Sequence, residues 1–462
     1  MVTEHILSIT AKRKYIATSK KNRTKQILIL SAPMIIGALG RVIINLIDTA
    51  MIGTIGTSAI AGVNLSIFTS SLVAEFIIAI GAAVLSLSAR RMGEGRISQT
   101  KEILTEAILI ALMIGIPLSI AGAFAAPYML PLINNDPLVV KQGTDYLRII
   151  NAGWILIMLF YAFQGYYDGI GRPYFYLKNI GVMVIVNATL NYCLINGKFH
   201  FPAMGTSGAA IATVSSYFVG LMIFLIPMIW EKRGLAIFQR CRNLAQRSNI
   251  RKKLFNLFAS IGSQNLAIIS GFFVFITISG KISVIAMAIT GIVLQIANTL
   301  VLLANAFGKT GGTLAGRSLG AEVPQLAFQW GLKTALVGLF CLSPIFVIFL
   351  ISPDLVMSFF TKDPKMIASS MRLIQILGIG MTFDVFATIL MNTMLGTGWV
   401  RLIVVWNIVG IWAIFIPLSV VGVLHYKVGV LGLWTSLFVY RIIVGVGFVF
   451  EYQRKKWLTV KL

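Results

Sequence analysis

The chain has 462 residues, 57% of them hydrophobic and 12% charged. A soluble domain is about 25% charged, so the composition excludes an ordinary water-soluble fold. The net charge of +24 would suit nucleic acid, but the basic residues are distributed in a way that membrane topology explains instead.

Apolar stretches of roughly 20 residues, the length needed to cross a bilayer, recur from end to end. Twelve spans are expected, at about 27–53, 60–88, 103–126, 149–167, 174–195, 206–230, 254–279, 282–308, 327–351, 373–395, 402–424 and 428–450. They divide the chain into a basic tail (1–26), an N-terminal six-helix lobe (27–230), a linker (231–253), a C-terminal six-helix lobe (254–450) and a second tail (451–462). The first residues are polar and basic and span 1 is too long for a signal-peptide core, so no cleavable signal is expected. With the N-terminus inside, the inner segments hold 29 of the 39 Lys and Arg residues and the outer loops eight. That bias follows the positive-inside rule and places both termini in the cytoplasm. The densest basic run, 232–253, has no acid and can face anionic lipid without any nucleic acid.

The second half repeats the first. Gly81, Arg90, Gly93, Pro117, Asp136, Pro137, Gly169 and Gly171 recur, in one unbroken register, as Gly308, Arg317, Gly320, Pro344, Asp363, Pro364, Gly396 and Gly398. These residue types fix turns, kinks and helix ends, so both halves are expected to share one backbone course. The fold expected is an all-α membrane protein of twelve transmembrane helices in two six-helix bundles related by a pseudo-twofold axis. Such proteins carry substrates between their halves.

An ionised side chain in hydrocarbon needs a partner or a water-filled cavity, which makes every intramembrane acid a functional candidate. Span 1 carries Pro33, which removes a backbone hydrogen bond and is expected to kink or start the helix. Arg41, Asn45 and Asp48 follow, with Asp48 nearly two turns, roughly 10 Å, beyond Arg41 on the same side. A carboxylate there can exchange protons or bind Na⁺; a structural ion pair from Arg41 to Asp48 or Glu75 is the alternative. Glu75 lies in span 2, Glu106 at the interfacial end of span 3, and Asp168 at the end of span 4, where water is expected. Asn187 and Asn191 in span 5 are four residues apart and share a face. They could supply oxygens to a cation, hydrogen bonds to a carboxylate, or interhelical bonding alone. Thr213 in span 6 is weaker, since a membrane threonine often bonds its own backbone. Asp384 in span 10 aligns with Ile157 in the repeat, which favours a role particular to the C-terminal half.

Enzyme signals are poor. His5, His200 and His425 are far apart in sequence, and Cys193, Cys241 and Cys341 form no CxxC. Neither a metal site nor a disulfide is expected. No Walker A motif occurs, which argues against ATP-driven transport by this chain alone.

Several segments resemble the multidrug and toxin extrusion (MATE) transporters. These are Ala32-Pro33 through Asp48-Thr49-Ala50-Met51-Ile52-Gly53-Thr54-Ile55-Gly56, Gly169-Ile170-Gly171-Arg172-Pro173, and Gly205-Thr206-Ser207-Gly208-Ala209-Ala210-Ile211-Ala212-Thr213. Leu319-Gly320-Ala321 and Leu395-Gly396-Thr397-Gly398 belong with them, and together they cover about 27–450. The resemblance implies a central cavity open alternately to each side, and export of organic, often cationic compounds in exchange for H⁺ or Na⁺. Asp48 and Pro33 match the DinF-like branch's coupling aspartate and its preceding proline, and Asn187 and Thr213 match residues of the same site. Asn191 stands where many relatives carry a second acid. One carboxylate with neutral oxygens suffices for proton exchange but holds Na⁺ weakly, which favours H⁺ over Na⁺. Span 7 lacks the NorM-like acid, whereas Asp384 resembles the NorM-like span-10 acid.

The function expected is an ion-coupled antiporter in the plasma (inner) membrane, a monomer with a small-molecule substrate, lipid as its surroundings, no nucleic acid and no cofactor besides the coupling ion. A flippase for lipid-linked or amphipathic cargo is the rival within transporters. A membrane-embedded enzyme or scaffold is the rival outside them.

Overall fold

The computed structural model describes residues 22–230, 244–426 and 428–460. Most of the tail at 1–26, over half of the linker at 231–253, the end of the tail at 451–462, and His5 and Cys241 lie outside the described residues. No strand occurs among those described. In hydrocarbon each backbone N–H and C=O must be satisfied by the protein itself, and long helices do this within one segment.

The helices are α1 (Arg23–Gly53), α2 (Thr57–Gly93), α3 (Ile97–Met129), α4 (Pro137–Ala152), α5 (Trp154–Gly169), α6 (Tyr174–Asn196) and α7 (Gly205–Trp230), then α8 (Leu244–Ile282), α9 (Val284–Gly320), α10 (Pro324–Ile351), the short α11 (Pro353–Ser358) and α12 (Pro364–Gly396). Arg401–Val409 (α13), Ile416–Val420 (α14) and two π-helical segments, Gly410–Phe415 and Val421–His425, form one span. α15 (Gly429–Gln453) is the last. Among the described residues eleven spans are long and apolar enough to cross a membrane, and α4 with α5 makes a twelfth as one bent span. Many large apolar side chains, among them Leu46, Ile185 and Phe340, are exposed, as expected of helices that meet lipid.

The fold divides into two compact units. One takes 32–92 and 96–262, the other the described residues up to Ser31 together with 93–95 and 263 onward. Pro33 lies inside α1, just past this boundary, so it does not start the helix.

The repeat is visible in local geometry. Asp136 and Asp363 both cap helices that begin with proline, at φ −74° and ψ 116° or 113°. The Asp136 carboxylate accepts from the Leu138 amide at 2.8 Å and the Asp363 carboxylate from the Lys365 amide at 2.9 Å. Gly171 and Gly398 both have positive φ, 65° and 88°. In the C-terminal unit α9 and α12 touch backbone to backbone: a Cβ on Gly396 would lie 2.4 Å from Gly312 Cα.

The repeat breaks at span 4. α4 and α5 meet at 47° around Gly153, whereas their counterpart α12 is continuous. The Ile155 amide, freed at this bend, donates to the Ser119 hydroxyl of α3 at 2.9 Å. The counterpart of Ser119 in the repeat is Phe346, which has no acceptor to offer. The span also begins at Pro137, well before the expected 149, because the Asp136 cap starts the helix there.

Gly396→Leu is expected to abolish accumulation of monodisperse protein, because α9 and α12 must separate to admit it. Gly181→Ala, where a Cβ meets nothing within 4 Å, should leave the elution profile unchanged. Size-exclusion chromatography of detergent extracts distinguishes them.

Candidate functional site

Three helices of the N-terminal unit bring four sequence candidates together. α1 carries Asp48, α6 carries Asn187 and Asn191 one turn apart, and α7 carries Thr213. Asp48 is 7% exposed and both asparagines are fully buried. Asn191 Nδ2 donates to Asp48 Oδ1 at 2.5 Å and to Asn187 Oδ1 at 3.1 Å. The Thr213 hydroxyl faces two acceptors at 3.1 Å each, Asp48 Oδ2 and the Ala209 carbonyl of its own helix. With one proton to give, it divides itself between them. Asn191 Oδ1 and Asn187 Nδ2 are buried without a hydrogen-bond partner.

One turn further along each helix the chemistry changes. Ile52 follows Asp48, Ile195 follows Asn191, and Ala209 and Ala210 precede Thr213. These pack with Ala59, Val63 and Tyr146 into one apolar cluster. The carboxylate is thus closed off on that side by apolar side chains together with Tyr146, the cluster's one hydroxyl, which interacts electrostatically with Asp48.

Arg41 does not pair with Asp48. Its Nη1 donates to the Tyr161 hydroxyl, and its guanidinium carbon lies 5.6 Å from that ring's centroid. Electrostatically it acts on Glu75, so Glu75 belongs to the surroundings of Arg41 rather than to the Asp48 cluster. Among the described residues no Lys or Arg pairs with Asp48.

Asp384 lies in the C-terminal unit. Arg441 Nη1 of α15 reaches both its oxygens, at 3.0 and 3.1 Å. The sequence shows both residues within spans, but not that α12 and α15 bring them together. The counterpart of Asp48 in the repeat is Phe275, packed 5.4 Å from both Phe415 and Trp434. Aromatic rings fill the C-terminal counterpart of the carboxylate site.

Glu106, expected at the interfacial end of its span, is fully buried by its neighbours and accepts from Arg251 Nε of α8 at 2.6 Å. The expectation about Asp168 is corrected. Asp168 is 1% exposed rather than wet, because the α5 terminus is pressed against α2, where a Cβ on Gly169 would lie 2.9 Å from the Leu85 carbonyl. Cys193 and Cys341 are both free thiols. Among the described residues no three His, Cys, Asp or Glu side chains converge as metal ligands.

The MatE family model matches residues 33–193 and again 261–421. The chain belongs to the MatE family. The two matches follow the internal repeat to within one position, so the family's own unit is the half that recurs here. Among similar MATE-family relatives, the probable multidrug resistance protein NorM of Bradyrhizobium diazoefficiens is 26% identical over 413 residues, 88% of each chain. The probable multidrug resistance protein YoeA of Bacillus subtilis is 22% identical over 459 residues, 96% of this chain and 98% of that one. A MOP superfamily transporter from Pyrococcus furiosus has the same fold, with a TM-score of 0.85 at 17% identity over 95% of this chain and 97% of that one. The eukaryotic MATE transporter AtDTX14 matches with a TM-score of 0.83 at 15% identity, covering 94% and 96%. The protein is therefore an integral membrane transporter.

Removing one partner of a buried ion pair strands the other charge, at a cost of about 3–5 kcal/mol. Asp384→Asn is expected to lower the thermal midpoint markedly, and adding Arg441→Met should recover most of the loss. Equal midpoints for wild type and Asp384→Asn would contradict a structural pair.

Proposed function

We propose that this MATE-family transporter is a secondary active antiporter of the plasma membrane. It exports organic cationic or amphipathic compounds by alternating access, in exchange for H⁺ taken up and released by Asp48. The single observation supporting the coupling role is that Asp48 is a buried carboxylate whose hydrogen-bond partners are all neutral. A carboxylate locked to a cation stays ionised, whereas one held by amide and hydroxyl donors can change protonation when its solvation or partners change. The relatives' names, probable multidrug resistance proteins, support the substrate class.

The geometry of Asn191 favours H⁺ over Na⁺. Its NH₂ group bridges the Asp48 and Asn187 oxygens, the place where a cation would gather them. Na⁺ would need that amide turned over, so that its oxygen faces inward. A proton on Asp48 needs only one acceptor, and the Thr213 hydroxyl, 3.1 Å from Oδ2, supplies one by giving its own proton to the Ala209 carbonyl, with the Asn191 amide left as it is. In this reading Asn187 and Thr213 position the carboxylate, Pro33 is the site of conformational change in α1, and Asp384 holds α12 to α15. Glu75 acts with Arg41. The Lys and Arg bias supports cytoplasmic termini.

Reconstituted protein is expected to export a cationic dye when a pH gradient is imposed in Na⁺-free medium, and Asp48→Asn should abolish that efflux with expression intact. Efflux that requires a Na⁺ gradient at constant pH would overturn the proton assignment, and undiminished efflux by Asp48→Asn would overturn the role of Asp48. Asn191→Asp, which adds a second carboxylate, is expected to make efflux sensitive to Na⁺.

A further inference from the structure

α3 and the first half of α8 enclose a groove of about 300 Å³ within the N-terminal unit. That volume is at the lower end of the roughly 300–1,000 Å³ range of sites that hold small organic molecules. α3 contributes Ile110, Met113 and Ile114, and α8 contributes Ser248, Arg251, Lys252 and Phe255. Both sets follow i, i+3, i+4 spacing, so each is one face of its helix. Glu106 meets Arg251, and one to two turns further along α3 the apolar residues share the groove with Phe255. The helices therefore run in the same direction here, and the groove changes from polar to apolar along them.

Met113 is 67% exposed and Phe255 46%. In a helix that crosses a bilayer, such side chains have acyl chains as their natural neighbours. At the polar end the charge is uneven. Glu106 is taken up by Arg251, whose side chain remains 44% exposed. Lys252 is exposed and pairs with no carboxylate among the described residues. A hydroxyl, an ammonium and an exposed guanidinium edge thus sit above an apolar channel, and Glu106, Arg251 and Lys252 among the described residues sum to one positive charge.

We infer that this groove is a binding site for one anionic phospholipid. Lys252, Ser248 and the exposed edge of Arg251 hold the headgroup phosphate, and an acyl chain lies over Ile110, Met113, Ile114 and Phe255. The site is separate from Asp48, and it stands whether or not the coupling assignment does. Basic side chains at a membrane surface attract anionic lipid individually, so selectivity should depend on Lys252.

The test places a photoreactive benzophenone side chain at position 113 of the full-length protein, in bilayers of equal parts phosphatidylglycerol and phosphatidylcholine. Intact mass spectrometry then counts the lipid adducts. The same side chain at position 340, where Phe340 of α10 is 80% exposed, reports the bulk lipid. Phosphatidylglycerol adducts should exceed phosphatidylcholine adducts at position 113 but not at 340. Lys252→Gln should cut that excess about fivefold, the share of one basic residue, and Lys252→Arg should keep it. Equal adducts of both lipids at 113, the same excess at 340, or an excess untouched by Lys252→Gln would each overturn the site.

Discussion

A carboxylate carried into hydrocarbon must be met by donors, and at Asp48 that requirement governs the N-terminal unit. Leaving it unmet costs several kcal/mol. α1, α6 and α7 must therefore converge at one depth, with Asn191 and Thr213 each aimed at one carboxylate oxygen. Neutral donors make the ionised form tolerable without fixing it. The apolar cluster of Ile52, Ile195, Ala209 and Ala210 then shuts one side of the site. Polarity and occlusion come from the same three helices, displaced by a single turn.

The same constraint explains why the two halves share a scaffold and differ in chemistry. Helix starts and turns recur because proline after an aspartate cap and glycine at positive φ have few substitutes. Side chains inside the bundles are free of that demand. Where the N-terminal unit has Asp48, the C-terminal unit has Phe275 among aromatic rings, and its own acid is bound by an arginine. Among the described residues, the C-terminal unit's buried acids, Asp384 and Glu451, are each held by an arginine, whereas Asp48 is held by neutral groups alone.

Much of this was legible from sequence, because polar residues are rare in the spans and each one stands out. Twelve spans, the repeat and the group Asp48, Asn187, Asn191 and Thr213 could all be read from hydropathy, spacing and family resemblance. What escaped the sequence depends on tertiary contact. The Asp384–Arg441 pair joins two helices with a whole span between them in the chain. The bend at Gly153 depends on a hydroxyl from α3, Ser119, which hydropathy does not reveal. Asp168 looks solvated by its place at a span end, but the close packing of Gly169 draws it inside, and Arg251 covers Glu106. Arg41 and Asp48 share a helix face, yet Tyr161 on α5 claims the guanidinium.

The central claim is that Asp48 itself changes protonation. Infrared difference spectroscopy of the purified transporter across a pH titration in Na⁺-free medium observes this directly, through the carbonyl stretch of a protonated carboxyl group. A band that grows as pH falls, is missing in Asp48→Asn and shifts in Asn191→Ala is the expected result, since Asn191 is the group hydrogen-bonded to that carboxyl. A spectrum in which Asp48→Asn and wild type titrate identically would contradict it.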